Sequence, residues 1–349
     1  MEMKPQMPKL SIIVVVYCMS RQAMNTLYSL SIRYQQNVSE SDYEILVMEN
    51  LSADNLDPSA VQALGDNIRH FRRDETSASP VNAINEGFRE AHGAFIGLII
   101  DGARMVTPRV VEYALMASRI SANALVAVPA FNLGPHLHYL HLDCDYGEEQ
   151  EQNLLEEARW QHNGYRLFDI GNLGEANPRG LFQPFLENNC YFTSRDNFAA
   201  IGYADERFQY PGGGSLNLHM FRSVGMLPQC EPYCVMAGEG TFHQFHGGVT
   251  TAQIEGRQAL LTRFREQLES VWGGRFPARE RGPLLIGAVT SHAQRLLHYS
   301  SVRGQKRFNR LHEKHYVFCQ DDLQRTHFYY QRDASDIIRA AKREMVRDV

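Results

Sequence analysis

The sequence predicts an α/β fold with a mostly parallel sheet flanked by helices, followed by a helical C-terminal extension. Three observations lead to it. Apolar runs of strand length alternate with segments of helical periodicity through the first half of the chain. Several of these strands end in polar residues, and helical patterns dominate after residue 254. We therefore divide the chain into a sheet-forming domain, residues 1–254, and a helical extension, residues 255–349.

The first strands and the helix between them have clear signals. "KLSIIVVVYC" is a β-branched run typical of a strand buried on both faces. "SRQAMNTLYSLSIRYQ" follows it as a helix, with Ser20 as the predicted N-cap. "YEILVMEN" is a second strand, ending in an acid and an amide.

The alternation then continues. "PVNAINEGFREAHG" predicts a helix that ends at Gly93, and "AFIGLII" is a strand that runs into Asp101. "TPRVVEYALMASRI" predicts a helix with Thr107 as its cap and Pro108 at its first position. "ALVAVPAF" is a further strand, so right-handed crossovers between parallel strands are expected.

Loops and helices make up most of the remaining chain. Residues 132–185 are rich in Gly, Pro, Asn and His around one helix, "EEQEQNLLEEARWQHNG", and loops of this length are usually functional or disordered. In the extension, "EGRQALLTRFREQLESVW" and "ASDIIRAAKREMVRDV" predict helices.

Charge is distributed unevenly. Residues 1–254 contain 17 Lys and Arg against 29 Asp and Glu, whereas residues 255–349 contain 18 against 11. We favour basic helices packed on the acidic domain over contact with a cytoplasmic membrane face, a partner or a second copy of the chain. No nucleic-acid partner is expected.

Composition favours a cytoplasmic protein. The longest apolar runs are far shorter than the roughly 20 residues of a membrane span, and the N-terminal sequence has no secretory pattern. The six cysteines are scattered, which suits reduced thiols, and no second pair joins Cys230 and Cys234 to complete a zinc site.

Polar residues at the strand ends give the first functional signal. Tyr17, Glu49, Asn50 and Asp101 each fall at or just after the end of a predicted strand. Because the carboxyl ends of parallel strands meet at one edge of a sheet, we expect these side chains to line a ligand crevice. The alternative is that they are polar only because strand ends meet water.

Taken in order, four segments resemble the family 2 glycosyltransferases of the GT-A fold over about residues 9–248. They are "SIIVVVYCMSRQAMNTLYSL", "YEILVMENLSAD", "NAINEGFREAHGAFIGLIID" and "AAIGYADERF". The resemblance implies a GT-A-type nucleotide-diphospho-sugar transferase sheet. It also implies a UDP-type nucleotide-sugar donor and a carbohydrate or lipid-linked acceptor, as in carbohydrate biosynthesis.

The same resemblance implies roles for particular residues. Tyr17 would lie against the nucleotide base, Glu49 takes the place of a base-recognising Asp, and Asn50 matches the turn that follows. Asp101 matches the first acid of the family's Asp-x-Asp motif. From its charge and position, Arg104 is a candidate to offset diphosphate charge, with an ordinary surface arginine as the alternative. Further matches to the family pattern are Ser52, Asp54, Ala83, Asn85 and Gly87.

The metal motif departs from the family pattern. Ala103 stands where the second acid, a ligand of Mg²⁺ or Mn²⁺, is expected. The stretch "GEGTFHQFHGG" is similar to a later loop that binds metal or diphosphate in such enzymes. We expect His243 or His246 to join Asp101 as a metal ligand, which would favour Mn²⁺ over Mg²⁺. A purely structural turn is the alternative.

The catalytic base is also missing from its usual place. Gly214 and Ser215 stand where inverting relatives carry Glu-Asp, and neutral serine is a poor base. His219 and Glu187 are the candidates, with ordinary packing or surface roles as the alternatives. A retaining mechanism, in which a donor phosphate oxygen takes the acceptor proton, would need no protein base.

Two function classes follow. The first is a glycosyltransferase, inverting or retaining, that moves a sugar from a nucleotide-diphosphate donor to an acceptor hydroxyl. The second is a non-catalytic GT-A-like binding protein that has lost its metal acid and its base. A nucleotidyltransferase would need a glycine-rich phosphate loop after the first strand, and "YCMSRQ" lacks one.

Overall fold

The structure is a computed structural model that describes residues 7–135, 146–174, 180–247, 257–274, 279 and 281–313. Within these residues, twelve strands form two sheets. In chain order they are β1 (Leu10–Val16), β2 (Tyr43–Asn50), β3 (Ile68–Arg73), β4 (Phe95–Ile99), β5 (Arg104–Val106), β6 (Leu125–Ala127), β7 (Ala130–Leu133), β8 (Gly171–Leu173), β9 (Cys190–Ser194), β10 (Tyr233–Met236), β11 (Thr241–His243) and β12 (Leu284–Ile286). The helices are α1 (Ser20–Leu30), α2 (Pro58–Gln62), α3 (Val81–Glu90), α4 (Val110–Ile120), α5 (Glu148–Ala158), α6 (Arg195–Ala200), α7 (Leu216–Gly225), α8 (Arg257–Trp272) and α9 (Gln294–Glu313).

The large sheet has eight strands in the order β12-β10-β6-β9-β4-β1-β2-β3. Strand β9 is antiparallel to both neighbours, and all other pairs are parallel. The other four strands form a second sheet in the order β5-β11-β7-β8. The predicted mostly parallel α/β sheet flanked by helices is therefore confirmed.

Strand β1 explains why the first apolar run is continuous. All seven of its residues are buried. Ile12 and Val14 pack in an apolar layer with α1 and α4, whereas Ile13 and Val15 pack on the opposite face with α3 and α7. Burying such a side chain contributes about 1.5–3 kcal/mol, so both faces of the sheet stabilise the fold.

The segment "ALVAVPAF" forms two strands instead of the single predicted one. Strand β6 belongs to the large sheet, and β7 belongs to the small sheet. Pro129 lies between them and has no N–H to donate to a ladder, which accounts for the break. This change of sheet brings the small sheet up against the end of β4.

Two predicted helix caps and one predicted helix end lie elsewhere. The N-cap position of α4 is Arg109, which makes no side-chain capping hydrogen bond, and the buried Thr107 hydroxyl instead accepts a hydrogen bond from the Gly240 backbone N–H at 2.9 Å. Ser20 is the first residue of α1, whose N-cap is Met19. Helix α3 ends at Glu90, before Gly93.

The extension contains more than helices. Strand β12 pairs with β10 and forms one edge of the large sheet. Helix α8 confirms the prediction for "EGRQALLTRFREQLESVW", and "ASDIIRAAKREMVRDV" lies outside the described residues. Within the described part of the chain, no helix combines the length and apolar character needed to cross a membrane.

Candidate functional site

Asp101, His243 and His246 converge where the two sheets meet. Asp101 follows β4, and its Oδ1 accepts a hydrogen bond from the Ala103 backbone N–H at 3.0 Å. His243 ends β11, where it is paired with Arg104 of β5. Its Nε2 lies 2.9 Å from Asp101 Oδ2, and His246 Nε2 lies 3.7 Å from Asp101 Oδ1. The two imidazole Nε2 atoms are 3.0 Å apart.

The turn after Asp101 explains why no second acid follows it. Ala103 is fully buried, and its carbonyl accepts a hydrogen bond from the Gln244 backbone N–H at 2.9 Å. A carboxylate at this position would be buried in the core. A Cβ added to Gly102 would come within 2.8 Å of the Val15 carbonyl oxygen, so the turn also packs tightly against β1.

These three side chains fit a divalent cation. Their ligand atoms all lie within 4.8 Å of one another. Two donor atoms bound at right angles to one ion, each about 2.1 Å from it, lie about 3.0 Å apart, which is close to the separations seen here. One carboxylate with two imidazoles suits Mn²⁺ and other first-row transition ions better than Mg²⁺. Such a set also leaves positions open for phosphate oxygens and water.

The charge states also suit metal binding. Burial, aided by the nearby Arg104 charge, lowers the pKa of His243 to about 4, so the ring is neutral at pH 7. Burial works to raise the pKa of Asp101, but interactions with His243 and His246 outweigh burial and hold it well below the usual value. An ionised carboxylate therefore faces a neutral imidazole, which are the forms that bind metal.

Arg104 places a buried positive charge beside this cluster. Its side chain is 11% exposed, and its Nε lies 3.6 Å from Asp101 Oδ2. Within the described part of the chain, that Nε makes no hydrogen bond. Burial lowers the pKa of Arg104, while Asp101 and Glu187 act in the opposite direction. A buried guanidinium with unused hydrogen-bonding capacity is suited to an anion such as phosphate.

Glu49 and Asn50, the residues predicted to lie near the nucleotide base, hold loops in place. Glu49 is fully buried, accepts a hydrogen bond from the Leu56 N–H at 2.7 Å and contacts His70 Nε2 at 2.8 Å. In this arrangement its carboxylate supports the turn after β2 and offers no surface to a ligand. Asn50 is 1% exposed and donates to the Ser77 carbonyl at 2.8 Å.

Tyr17 and Asp54 lie near the start of α1. Tyr17 is half-buried at the end of β1. Asp54 accepts hydrogen bonds from the Ser20 N–H at 2.9 Å and from the Ser20 hydroxyl at 2.5 Å. The N-terminus of α1 thus already carries a carboxylate, so a diphosphate would meet a like charge there.

The two candidate bases have different surroundings. His219 stacks on Phe208 with ring centroids 5.0 Å apart, and its Nδ1 accepts a hydrogen bond from Trp272 Nε1 at 2.8 Å. Indole N–H only donates, so in the neutral ring the proton sits on His219 Nε2 and no lone pair is left to accept another. This arrangement does not suit a general base. Glu187 is half-buried and lies close enough to Arg104 to influence its pKa.

Some residues around the site escaped sequence analysis. Strand β3, "IRHFRR", has no apolar run, so its His70 contact with Glu49 had no signal in the sequence. Gln244 and Glu151 are both fully buried, although their types usually lie on the surface. Only the position of Gln244 between the two histidines could have drawn attention to it.

Comparisons with known proteins give structural similarity alone. No protein-family model matches the sequence, and no curated protein matches it. Among solved structures, the chain is similar to S. aureus TarS 1–349 in complex with UDP-GlcNAc, with 12% identity, 93% of this chain and 80% of that chain covered, and a TM-score of 0.48. It is also similar to TarS 1–349, with 11% identity, coverage of 75% and 72%, and a TM-score of 0.47. For TarS 1–349 in complex with UDP, the identity is 11%, the coverage is the same and the TM-score is 0.44.

Proposed function

We propose that this protein is a glycosyltransferase that moves a sugar from a UDP-type nucleotide donor to the hydroxyl of a carbohydrate or lipid-linked acceptor. The observation that carries the proposal is the cluster of Asp101, His243 and His246 with Arg104 beside it. This cluster combines a cation site with a buried anion-binding group at the carboxyl end of β4. Both groups supply positive charge that suits a diphosphate.

The donor is proposed to lie across the ends of β1, β2 and β4. Tyr17 would contact the base, while Glu49 and Asn50 act through the loops that they hold. Because Asp54 already occupies the N-terminus of α1, the diphosphate is assigned to Arg104. A divalent cation held by Asp101, His243 and His246 would supply positive charge to the diphosphate leaving group.

The residues on the acceptor side of the proposed site define their roles less closely than those on the donor side. Glu187 is the favoured base for an inverting reaction, because it lies near Arg104 and His219 is committed to Trp272. A retaining reaction, with a phosphate oxygen of the donor taking the acceptor proton, remains the alternative mechanism. In either case the main contributions are positioning of the two substrates and stabilisation of the leaving group.

A non-catalytic binding protein is the second candidate function. The engaged His219 favours it, because this candidate base already accepts the Trp272 hydrogen bond and no acid stands at Gly214 and Ser215. To separate the two, the purified protein is incubated with UDP-sugars and Mn²⁺, and free UDP is measured with and without candidate acceptors. Acceptor-dependent UDP release supports the enzyme. Tight UDP-sugar binding without release supports the binding protein.

We propose a cytoplasmic location, with the basic extension packed largely on the domain. Two contacts support packing: Trp272 donates to His219, and Arg295 donates to the Phe168 carbonyl at 2.9 Å. Flotation with anionic liposomes, with the full chain and with a chain ending at residue 313, tests for membrane contact through the tail. Light scattering tests for a homo-oligomer.

A further inference from the structure

The loop between the two histidines is held by α1. Gln244 is fully buried, and its Nε2 donates to the Gln22 carbonyl at 2.8 Å. Its Oε1 accepts from Asn25 Nδ2 at 2.8 Å. Gln22 Nε2 donates to the Phe245 carbonyl at 2.8 Å. That carbonyl belongs to the planar peptide unit that joins Phe245 to His246, so α1 fixes the plane from which His246 starts.

Helix α5 holds the same loop from another side. Glu151 is fully buried, and its Oε2 accepts a hydrogen bond from the Phe245 backbone N–H at 2.6 Å. Its Oε1 lies 3.6 Å from the Arg21 guanidinium. The N–H of Phe245 is therefore bound by a side chain of α5, and its carbonyl by side chains of α1, from Gln22 at 2.8 Å and from Arg21 at 3.5 Å.

A buried carboxyl at this position is costly, which points to a specific role. Removing a carboxyl group from water carries a penalty, and an apolar residue would pack at lower cost. Burial raises the pKa of Glu151 to about 8, against the opposing effects of the Phe245 N–H and Arg21. Among the described residues, the hydrogen bond under 3 Å that this carboxyl accepts comes from the loop between His243 and His246.

We propose that Glu151 is a positioning residue for the cation site, acting through the Phe245 peptide to hold His246 toward Asp101 and His243. The inference rests on the cation site of the proposed function. It gives α5 a role that sequence analysis did not assign, since this helix of the loop-rich stretch supports a loop of the proposed cation site. Residues that orient metal ligands commonly change metal affinity by about 10–100-fold when they are removed.

The test is calorimetric titration of the full chain with Mn²⁺ alone. Glu151→Ala should weaken Mn²⁺ binding by about tenfold or more. Glu151→Gln should bind within about threefold of wild type, because an amide oxygen still accepts the Phe245 N–H. Glu149→Ala is the matched control, since Glu149 lies exposed on the same helix, and it should leave Mn²⁺ binding unchanged.

The outcomes separate this inference from the proposed function. Wild-type Mn²⁺ affinity in a folded Glu151→Ala variant overturns the inference, and so does failure of Glu151→Gln to restore binding. If Glu151→Ala does not fold, Gln22→Ala removes the shorter of the side-chain hydrogen bonds to the Phe245 carbonyl, and unchanged affinity in that variant overturns the inference equally. A wild-type protein that binds no Mn²⁺ overturns both the inference and the cation site. One that binds Mn²⁺ but transfers no sugar counts against the proposed enzyme only.

Discussion

His243 Nε2 lies 2.9 Å from Asp101 Oδ2, although Asp101 follows a strand of the large sheet and His243 ends a strand of the small one. The antiparallel pairing of β11 with β5 sets this contact, because it places His243 opposite Arg104. In the proposed cation site, His243 at the end of this strand and His246 after it stand beside Asp101, where the sequence has no second acid.

Asp101→Asn is expected to weaken Mn²⁺ binding by about tenfold or more, because an amide oxygen carries no net charge. Calorimetry with Mn²⁺ alone measures it. Asp205→Asn is the control, since Asp205 pairs with Arg207 at the surface and should not affect Mn²⁺. Equal Mn²⁺ affinity in the Asp101→Asn variant and the wild type would remove Asp101 from the site.

Arg104→Gln is expected to change two affinities in opposite directions. UDP binding should weaken by about tenfold, because a charge-assisted hydrogen bond contributes about 1.5–3 kcal/mol. Binding of Mn²⁺ alone should strengthen, because the guanidinium near Asp101 repels a cation. Arg207→Gln at the surface serves as the control. Two affinities that fall together would indicate general damage to the fold instead.

Ala103→Asp is expected to destabilise the protein without improving Mn²⁺ binding. The side chain at this position is fully buried, so a carboxylate would lose its hydration there. The free energy of unfolding should fall by about 2 kcal/mol or more, as measured by urea denaturation. Tighter Mn²⁺ binding by the variant would mean that position 103 can reach the cation.

His219→Gln is expected to lower stability and to leave the rate of sugar transfer unchanged. Because the Trp272 hydrogen bond and the Phe208 contact are lost or weakened, the free energy of unfolding should fall by about 1 kcal/mol. Glu187→Gln is the informative partner variant, since an inverting reaction should lose most of its rate with this change. A large loss of rate in a stably folded His219→Gln variant would show that His219 takes part in catalysis.

The raised pKa of Glu151 should make the free energy of unfolding depend on pH. Its pKa rises from 4.5 to about 8 on folding, so the folded state keeps a proton that the unfolded chain releases. This contribution is complete below about pH 4.5 and is lost as the pH rises toward 8, at about 1.4 kcal/mol per pH unit. Urea denaturation at several pH values compares wild type with Glu151→Gln, which should lack this slope. Parallel curves for the two proteins would contradict it.

Sequence patterns predicted the sheet because burial on both faces leaves a continuous apolar run, as in β1 and β2. They missed β3, whose basic residues lie at the sheet edge, and they joined β6 to β7 because the break depends on which sheet each strand enters. They also placed the start of α4 too early in the chain. There Thr107 hydrogen-bonds to the distant Gly240, a tertiary contact that no local signal encodes.

Part of the candidate site could also be predicted from the sequence. Asp101 stands out because a carboxylate after a buried strand needs a partner, and two histidines in a glycine-rich segment suggest ligands. The sequence could not show that both histidines reach Asp101, nor that Glu49 is fully enclosed. Those outcomes depend on strand register and on contacts from β3 and α5, which only the folded chain brings together.

Calorimetric titration of UDP into the wild type and into His243→Ala, each with and without Mn²⁺, tests the central claim most directly. Mn²⁺ is expected to strengthen UDP binding to the wild type, and His243→Ala is expected to lose this enhancement while keeping its fold. Wild-type UDP affinity that is the same with and without Mn²⁺, or an enhancement that survives in His243→Ala, would contradict it.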